Sequence, residues 1–188
     1  AFLNKVVSIS NQLGINPNWL MFVMYWESGL NPAIRNKYSG ATGLIQFMPA
    51  TATALGTSVS ALVNMSNVEQ LDYVYKYYRP YAGHMNNLYD VYLVTFFPAA
   101  LGKADNWVLQ TSSLSPRIIA EQNPAIDLNK DKQITVGEFK RYVDLKKRTC
   151  INESLDYSGI DRGRSLVFYP KRLIYGKFNQ KHKCPIQI

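Results

Sequence analysis

Residues 19–32 read Trp19-Leu-Met-Phe-Val-Met-Tyr-Trp-Glu-Ser-Gly-Leu-Asn-Pro32, and this stretch decides the fold class. Its eight apolar residues lack the alternation of a strand. Asn16-Pro17 offers an N-cap and a first-turn proline, and Gly29 is suited to the position after a helix end. The stretch therefore predicts a mostly buried helix over residues 17–28.

Glu27 is the only acidic residue among the first 68, and it falls in the last turn of this helix. The helix C-terminus disfavours an anion, and apolar neighbours disfavour it too, so both effects are expected to raise the pKa of Glu27. A carboxyl that stays protonated near neutral pH can act as a general acid. The alternative is a glutamate that points to solvent at a helix end, and this segment alone leaves both open.

A glycine-containing loop follows, reading Tyr38-Ser-Gly-Ala-Thr-Gly-Leu-Ile-Gln-Phe-Met-Pro49. Gly40 and Gly43 allow a positive φ or a close approach of a ligand to the backbone. Pro49 predicts the first turn of the next helix. Two glycines are equally compatible with an ordinary interhelical loop.

Glu27-Ser28-Gly-Leu-Asn31-Pro32, taken together with Ser39-Gly40-Ala41-Thr-Gly43-Leu-Ile-Gln46-Phe-Met48-Pro49, resembles the soluble lytic transglycosylase family, which is related to goose-type lysozyme. The two motifs lie at the separation usual in that family. The resemblance is close over residues 15–56 and looser to about residue 105. It implies a mainly α, lysozyme-like domain that cleaves the β-1,4 bond between N-acetylmuramic acid and N-acetylglucosamine in peptidoglycan.

The resemblance also implies roles for individual residues. Glu27 matches the catalytic acid, and Gln46 and Met48 match residues that line the glycan cleft. Many members carry a serine three positions before the Gly-Ala pair, where this chain has Lys37. Ser39 is close enough in sequence to replace that serine in substrate binding.

A second departure from the family lies farther along the chain. Members usually show an Ala-Tyr-Asn-Ala-Gly segment, whereas residues 94–102 read Val-Thr-Phe-Phe-Pro-Ala-Ala-Leu-Gly. The tyrosine hydroxyl that orients the acid is therefore missing from that alignment. Tyr89 or Tyr92, one helical turn earlier, is a candidate replacement, and Tyr92 is our choice for the substrate site. Amphipathic packing is the alternative for either tyrosine.

The number of carboxylates bears on the mechanism. Most glycosidases use two. The next acids after Glu27 are Glu69, Asp72, Asp90 and Asp105, and none lies in a motif that suggests a catalytic partner. One carboxyl suffices for a lytic transglycosylase, which ends its product with a 1,6-anhydro sugar. The alternatives are a lysozyme-type hydrolase and a wall-binding module of low activity.

Residues 127–138 form a second candidate site, which resembles an EF-hand calcium loop. Such loops place oxygen ligands at positions 1, 3, 5, 7, 9 and 12, with glycine at position 6. The chain has Lys132 at that sixth position, which predicts a left-handed lysine and weakened binding. A polar surface turn is the alternative to a structural calcium site. The predicted ligands are Asp127, Asn129, Asp131, Gln133 through its carbonyl, Thr135 and Glu138.

The length of 188 residues and the 47% hydrophobic content are sufficient for a buried core. We predict a transglycosylase domain over residues 1–145 and a short basic extension over 146–188, with strand character at 165–169. No apolar run approaches the roughly 20 residues of a membrane span. The predicted helices are 2–13, 17–28, 49–56, about 67–85 and about 88–97, with short helices on both sides of the calcium loop.

Positive charge is concentrated near the C-terminus. Residues 140–188 contain 12 Lys and Arg against 4 Asp and Glu, an excess equal to the net charge of +8 for the whole chain. This tail could hold the protein on anionic wall polymers, or it could be a solvated basic face. We predict no nucleic-acid partner, because no recognised module accompanies the charge.

Cys150 and Cys184 bracket the basic extension. They suit either a disulfide in an oxidising compartment or two free buried thiols. The implied substrate predicts an extracellular or periplasmic location in the cell-wall space, or a place in a phage particle. Wall remodelling, secretion machines and phage entry all use such domains.

Overall fold

The computed structural model describes residues 1–155, with side chains described to residue 149. These residues fall into two compact units, 1–101 and 102–155. Only isolated β-bridges occur between the helices of the described residues, so the prediction of a mainly α fold is confirmed. Among the described residues, no helix combines the length and the apolar composition needed to cross a membrane.

Six α-helices and two 3-10 turns make up the first unit. The α-helices are α1 (Phe2–Leu13), α2 (Pro17–Ser28), α3 (Pro49–Ala54), α4 (Val59–Val63), α5 (Asn67–Tyr78) and α6 (Leu88–Phe96), and the 3-10 turns are Arg79–Tyr81 and Pro98–Ala100.

Helix α2 lies at the centre of this unit, where it packs against α1 and α6, while α5 packs against α1. Burial on several sides explains why α2 has an almost continuous apolar sequence, since a helix covered all round has no polar face. Residues 20–25 are all buried. The Asn16 side chain accepts a hydrogen bond from Asn18 N at 2.9 Å, and Gly29 ends the helix with φ 61°.

The predicted bounds of α1 and α2 agree with the structure, and three other helices differ from the prediction. Helix α5 ends at Tyr78 rather than near residue 85, because Pro80 has no N–H to continue the helix. Helix α4, whose N-cap Ser58 accepts from Ala61 N, was not predicted. The helix that follows the predicted calcium loop, α8 (Val136–Leu155), is 20 residues long, whereas the sequence predicts a short helix there.

The second unit contains α7 (Pro116–Gln122) and α8 (Val136–Leu155). Its first residues are fixed to the start of α8, since Gly137 N donates to Asp105 O at 2.8 Å and Lys140 Nζ lies 2.6 Å from Asp105 Oδ1. A β-bridge joins Val108 to Thr135. The C-terminal end of the 127–138 loop is therefore held by regular structure.

Several predictions fall outside the described residues. These are the strand at 165–169, most of the basic extension, and the state of Cys184. The domain boundary between residues 145 and 146 stays a prediction, and α8 is continuous through those two positions.

Candidate active site

Glu27 is buried at the end of α2, with 2% of its surface exposed. The solvent-pointing alternative for this glutamate is therefore wrong. Its position follows from the helix bounds, because Gly29 ends α2 two residues later. The neighbouring turn is aromatic, with Trp26 beside Phe22 at 6.2 Å and beside Tyr25 at 5.9 Å between ring centroids. A buried carboxyl in such surroundings is favoured in its neutral form.

Tyr92 on α6 forms a hydrogen bond with Glu27. Its hydroxyl donates to Glu27 Oε1 at 2.8 Å, and the tyrosine is completely buried. The ring also meets Phe22 edge-on, with 6.4 Å between centroids. Phenol and carboxyl thus lie together where α2 packs against α6.

Ser28 connects the end of α2 to the glycine-containing loop. Its Oγ lies 2.9 Å from Met24 O and 3.0 Å from Leu44 O, and the residue is buried. The hydroxyl therefore satisfies a carbonyl at the helix end and also binds the carbonyl of Leu44, which connects the loop to the residue after Glu27.

The loop itself is folded tightly around Gln46. Thr42 and Phe47 exchange backbone hydrogen bonds of 3.0 and 2.8 Å. Gln46 lies between them with φ 56°, a left-handed conformation that is uncommon outside glycine and is found often at functional sites. Its amide Nε2 donates to Gly43 O at 3.1 Å and approaches Ile34 O at 3.4 Å, so the buried side chain is bound within the loop.

Ser39 and Met48 lie at the two ends of this loop, and both are half-buried. Ser39 Oγ accepts a hydrogen bond from Ala41 N at 3.2 Å. Met48 directly precedes α3. Their substrate contacts remain predictions.

Gln70 is a residue that sequence reasoning missed. It is fully buried on α5, and its side-chain amide binds three different segments. Oε1 accepts from Leu44 N at 2.9 Å, and Nε2 donates to Pro32 O and to Leu62 O at 2.7 Å each. This amide passes so close to Gly43 that a Cβ there would lie 2.4 Å from Gln70 Oε1. Gly43 is therefore required by close approach as well as by its φ of 83°.

Two phenols on α5 hold α6 in place. Tyr77 donates to Val94 O at 2.7 Å, a carbonyl that Pro98 cannot bond because proline has no N–H. Tyr78 binds the Thr95 hydroxyl and is completely buried. Burial raises the pKa of both phenols, so both stay neutral donors near neutral pH.

The other three carboxylates of residues 1–101 have partners of their own. Glu69 accepts from the hydroxyl and the N–H of Ser66 at 2.7 Å, and these bonds lower the pKa of Glu69. Asp72 pairs with Lys5 at 2.8 Å. Asp90 Oδ2 accepts from Asn86 N at 2.8 Å.

The predicted calcium loop lies in the second unit. Asp127 and Glu138 are buried, with 5% and 1% of their surfaces exposed, and Asp127 Oδ1 is buried without a hydrogen-bond partner. Lys132 has φ 65°, which confirms the predicted left-handed lysine, and Lys130 has φ 63°. A left-handed conformation costs roughly 1–2 kcal/mol for a residue other than glycine, so each of the two lysines carries this cost.

Three other side chains of the loop accept hydrogen bonds from its own backbone. Asn129 Oδ1 accepts from Asp131 N at 3.0 Å, and Asp131 Oδ1 accepts from Gln133 N at 2.9 Å. Glu138 accepts from Thr135 N at 2.9 Å. No group of three or more His, Cys, Asp or Glu side chains that could hold a metal occurs in residues whose side chains are described. The unpartnered Asp127 Oδ1 is thus the group that suits a hard cation, while Glu138 and the exposed Asp131 are bonded to their own loop.

A helical unit with a buried, hydroxyl-bound carboxyl beside a rigid loop defines a candidate for acid–base catalysis. Residues 6–98 match the family model of the transglycosylase SLT domain. The match covers just under half of the chain and includes Glu27, Gln46 and Tyr92. It supports the soluble lytic transglycosylase and lysozyme-like family for this segment, with peptidoglycan as the implied substrate. No curated protein and no solved structure matched the chain.

Proposed function

We propose that residues 1–101 form a peptidoglycan lytic transglycosylase in which Glu27 is the single general acid and base. The bond cleaved is the β-1,4 bond from N-acetylmuramic acid to N-acetylglucosamine. One observation carries the proposal: Glu27 is 2% exposed, and its Oε1 accepts the Tyr92 hydroxyl at 2.8 Å, within a segment that matches the SLT domain.

In the proposed reaction, protonated Glu27 donates its proton to the glycosidic oxygen as the bond to C1 of the muramic acid breaks. The N-acetylglucosamine leaves with a free 4-hydroxyl. The Glu27 carboxylate then accepts the proton of the C6 hydroxyl of the same muramic acid, and O6 bonds to C1. The acid is regenerated, no water is consumed, and the product ends in a 1,6-anhydro ring.

Burial and the Tyr92 hydrogen bond suit these two roles of Glu27. Burial stabilises the acid needed for the first step, while the phenol donor stabilises the carboxylate needed for the second. A hydrolase of the two-carboxylate type needs a further acid to activate water. Glu69, Asp72 and Asp90 are each bonded to another residue, and this favours the single-carboxylate mechanism.

The test is mass spectrometry of fragments released from purified peptidoglycan. Wild type should release anhydro ends, which are one water lighter than reducing ends, and Glu27→Gln should release none, because the amide cannot supply the proton. Glu69→Gln is the control, since it removes an exposed carboxylate that caps α5 and should leave the product unchanged. Hydrated ends would identify a lysozyme-type hydrolase, and binding without release would identify a wall-binding module.

This substrate implies work in the extracellular or periplasmic wall space, or in a phage particle that crosses the wall. The basic residues after position 140 would favour the anionic polymers found there. Retention on anionic wall fragments that weakens with rising salt would support this inference, and retention that is independent of salt would contradict it.

We further propose that the 127–138 loop binds calcium as a structural ion. Asp127 Oδ1 supports this, because a buried carboxyl oxygen without a partner is costly and a bound cation would compensate that cost. A free calcium concentration of 100 times the Kd would stabilise the fold by about 2.7 kcal/mol. The melting temperature should therefore fall when a chelator is added, and Asp127→Asn should remove that dependence. An unchanged melt of wild type with and without chelator would reject the site.

A further inference from the structure

Tyr38 lies at the tip of the loop that carries Gln46, and its side chain is 97% exposed. The next most exposed large hydrophobic residue among the described side chains is Leu145, at 50%. A ring this exposed buries almost no surface, so it contributes almost nothing to folding. We propose that Tyr38 is a stacking platform for a sugar ring of the glycan strand, a role that rests on the proposed function.

The backbone beneath Tyr38 is fixed. Asn36 Oδ1 accepts from Tyr38 N at 2.9 Å and from Ser39 N at 3.1 Å. Gly40 N donates to Asn36 O at 2.9 Å, and Asn36 N donates to Ala41 O at 2.8 Å. The turn is thus closed by four hydrogen bonds, which fix the backbone that carries the ring, so only the side-chain angles of Tyr38 are ordered on binding.

This turn is continuous with the candidate active site. A β-bridge joins Arg35 to Thr42, and a second joins Thr42 to Phe47. The segment between them includes Leu44, whose carbonyl lies 3.0 Å from Ser28 Oγ, next to Glu27. The loop that carries Tyr38 is therefore anchored to the helix end at Glu27, where the glycan strand would bind.

The chemistry around Tyr38 matches a peptidoglycan strand. Tyrosine offers an apolar face and a polar tip, and it provides a large contact area with only two rotatable angles. Arg35 and Lys37 are exposed beside it. No acidic residue occurs between Glu27 and Glu69, so the charges of this loop are all positive. The ring suits the C–H face of a pyranose, and the cations suit the carboxylates of the attached peptides.

The experiment measures binding of glycan strands to the Glu27→Gln protein by calorimetry, with peptide-bearing and peptide-free strands as probes. Adding Tyr38→Ala to this variant should weaken the binding of both kinds of strand by about tenfold, which corresponds to about 1.4 kcal/mol. Tyr38→Phe should bind as the parent does, whereas Tyr38→Leu should resemble alanine, because stacking needs a ring. With Glu27 restored, Tyr38→Ala should raise KM and leave kcat unchanged.

Lys37→Ala is the matched control on the same turn, and it should weaken the binding of peptide-bearing strands only. Glycan binding that Tyr38→Ala leaves unchanged would overturn the Tyr38 proposal while the proposed function stands. A change in self-association on Tyr38→Ala, with equal glycan affinity, would identify a contact between copies and would also overturn it. If Glu27→Gln bound no glycan strand and the protein with Glu27 intact showed no turnover, both the Tyr38 proposal and the proposed function would be rejected.

Discussion

Replacing Tyr92 with phenylalanine isolates the contact on which the proposed mechanism depends. The change removes one hydroxyl, which donates to Glu27 Oε1 at 2.8 Å, and keeps a ring that is completely buried and packed edge-on against Phe22. The shape of the interface between α2 and α6 should therefore be preserved. The expected effect lies in the chemistry of Glu27.

The magnitude follows from the kind of hydrogen bond lost. A hydrogen bond to a charged group is worth about 1.5–3 kcal/mol. The hydroxyl favours the carboxylate over the acid, so its loss should raise the pKa of Glu27 relative to wild type, by about one pH unit for each 1.4 kcal/mol. A weaker acid donates its proton less readily, and we expect kcat to fall about tenfold or more at the wild-type optimum.

The assay is the pH dependence of kcat/KM for release of anhydro fragments. A higher pKa keeps Glu27 protonated to higher pH, so the alkaline limb of the profile should move upward in Tyr92→Phe. Tyr77→Phe is the matched control, since it also removes a phenol hydroxyl bonded to α6, here to Val94 O at 2.7 Å. Burial raises the pKa of Tyr77, so it is neutral in the assay range and its removal changes no charge near Glu27.

Two results would refute this reasoning. The first is a Tyr92→Phe profile that superimposes on that of wild type. The second is an equal shift in Tyr77→Phe, which would show that displacement of α6, and not the hydroxyl at Glu27, controls the acid. A lower melting temperature with an unchanged profile would likewise assign Tyr92 to packing alone.

Two further predictions concern backbone positions. Gly43→Ala should lower the free energy of unfolding, measured by urea denaturation, by about 2 kcal/mol more than Gly56→Ala does. Both glycines have a positive φ, but only a Cβ at residue 43 would meet Gln70, at 2.4 Å. Equal losses in the two variants would contradict the role of that contact. Lys132→Gly should raise calcium affinity in titration calorimetry, since it relieves a φ of 65° and removes a positive charge, and an affinity equal to wild type would count against the site.

Local signals in the sequence determined the helices that carry the acid. Asn16 and Pro17 start α2, Gly29 ends it, and Gly14, with φ 70°, ends α1 before it. Each of these signals acts within a few residues, so no knowledge of distant contacts is needed. The end of α5 at Tyr78 follows from Pro80 by the same reasoning, although the apolar pattern suggested a longer helix.

Gln70 shows what local patterns do not contain. Glutamine is common on exposed helix surfaces, and nothing in its neighbours marks it as fully buried. Its burial follows from three polar backbone groups that converge on one side of α5, from Pro32, Leu44 and Leu62. A buried amide is tolerated because all these bonds form at once, and only the assembled unit brings the groups together.

By itself the sequence determined that Glu27 ends a buried helix, that a glycine-containing loop follows, and that α6 offers tyrosines at 89 and 92. Only the tertiary structure decided that the Tyr92 hydroxyl meets Glu27, across 65 residues of sequence. The reason is physical: helix bounds depend on local backbone preferences, whereas the side of α6 that faces α2 depends on how buried side chains from both helices fit together.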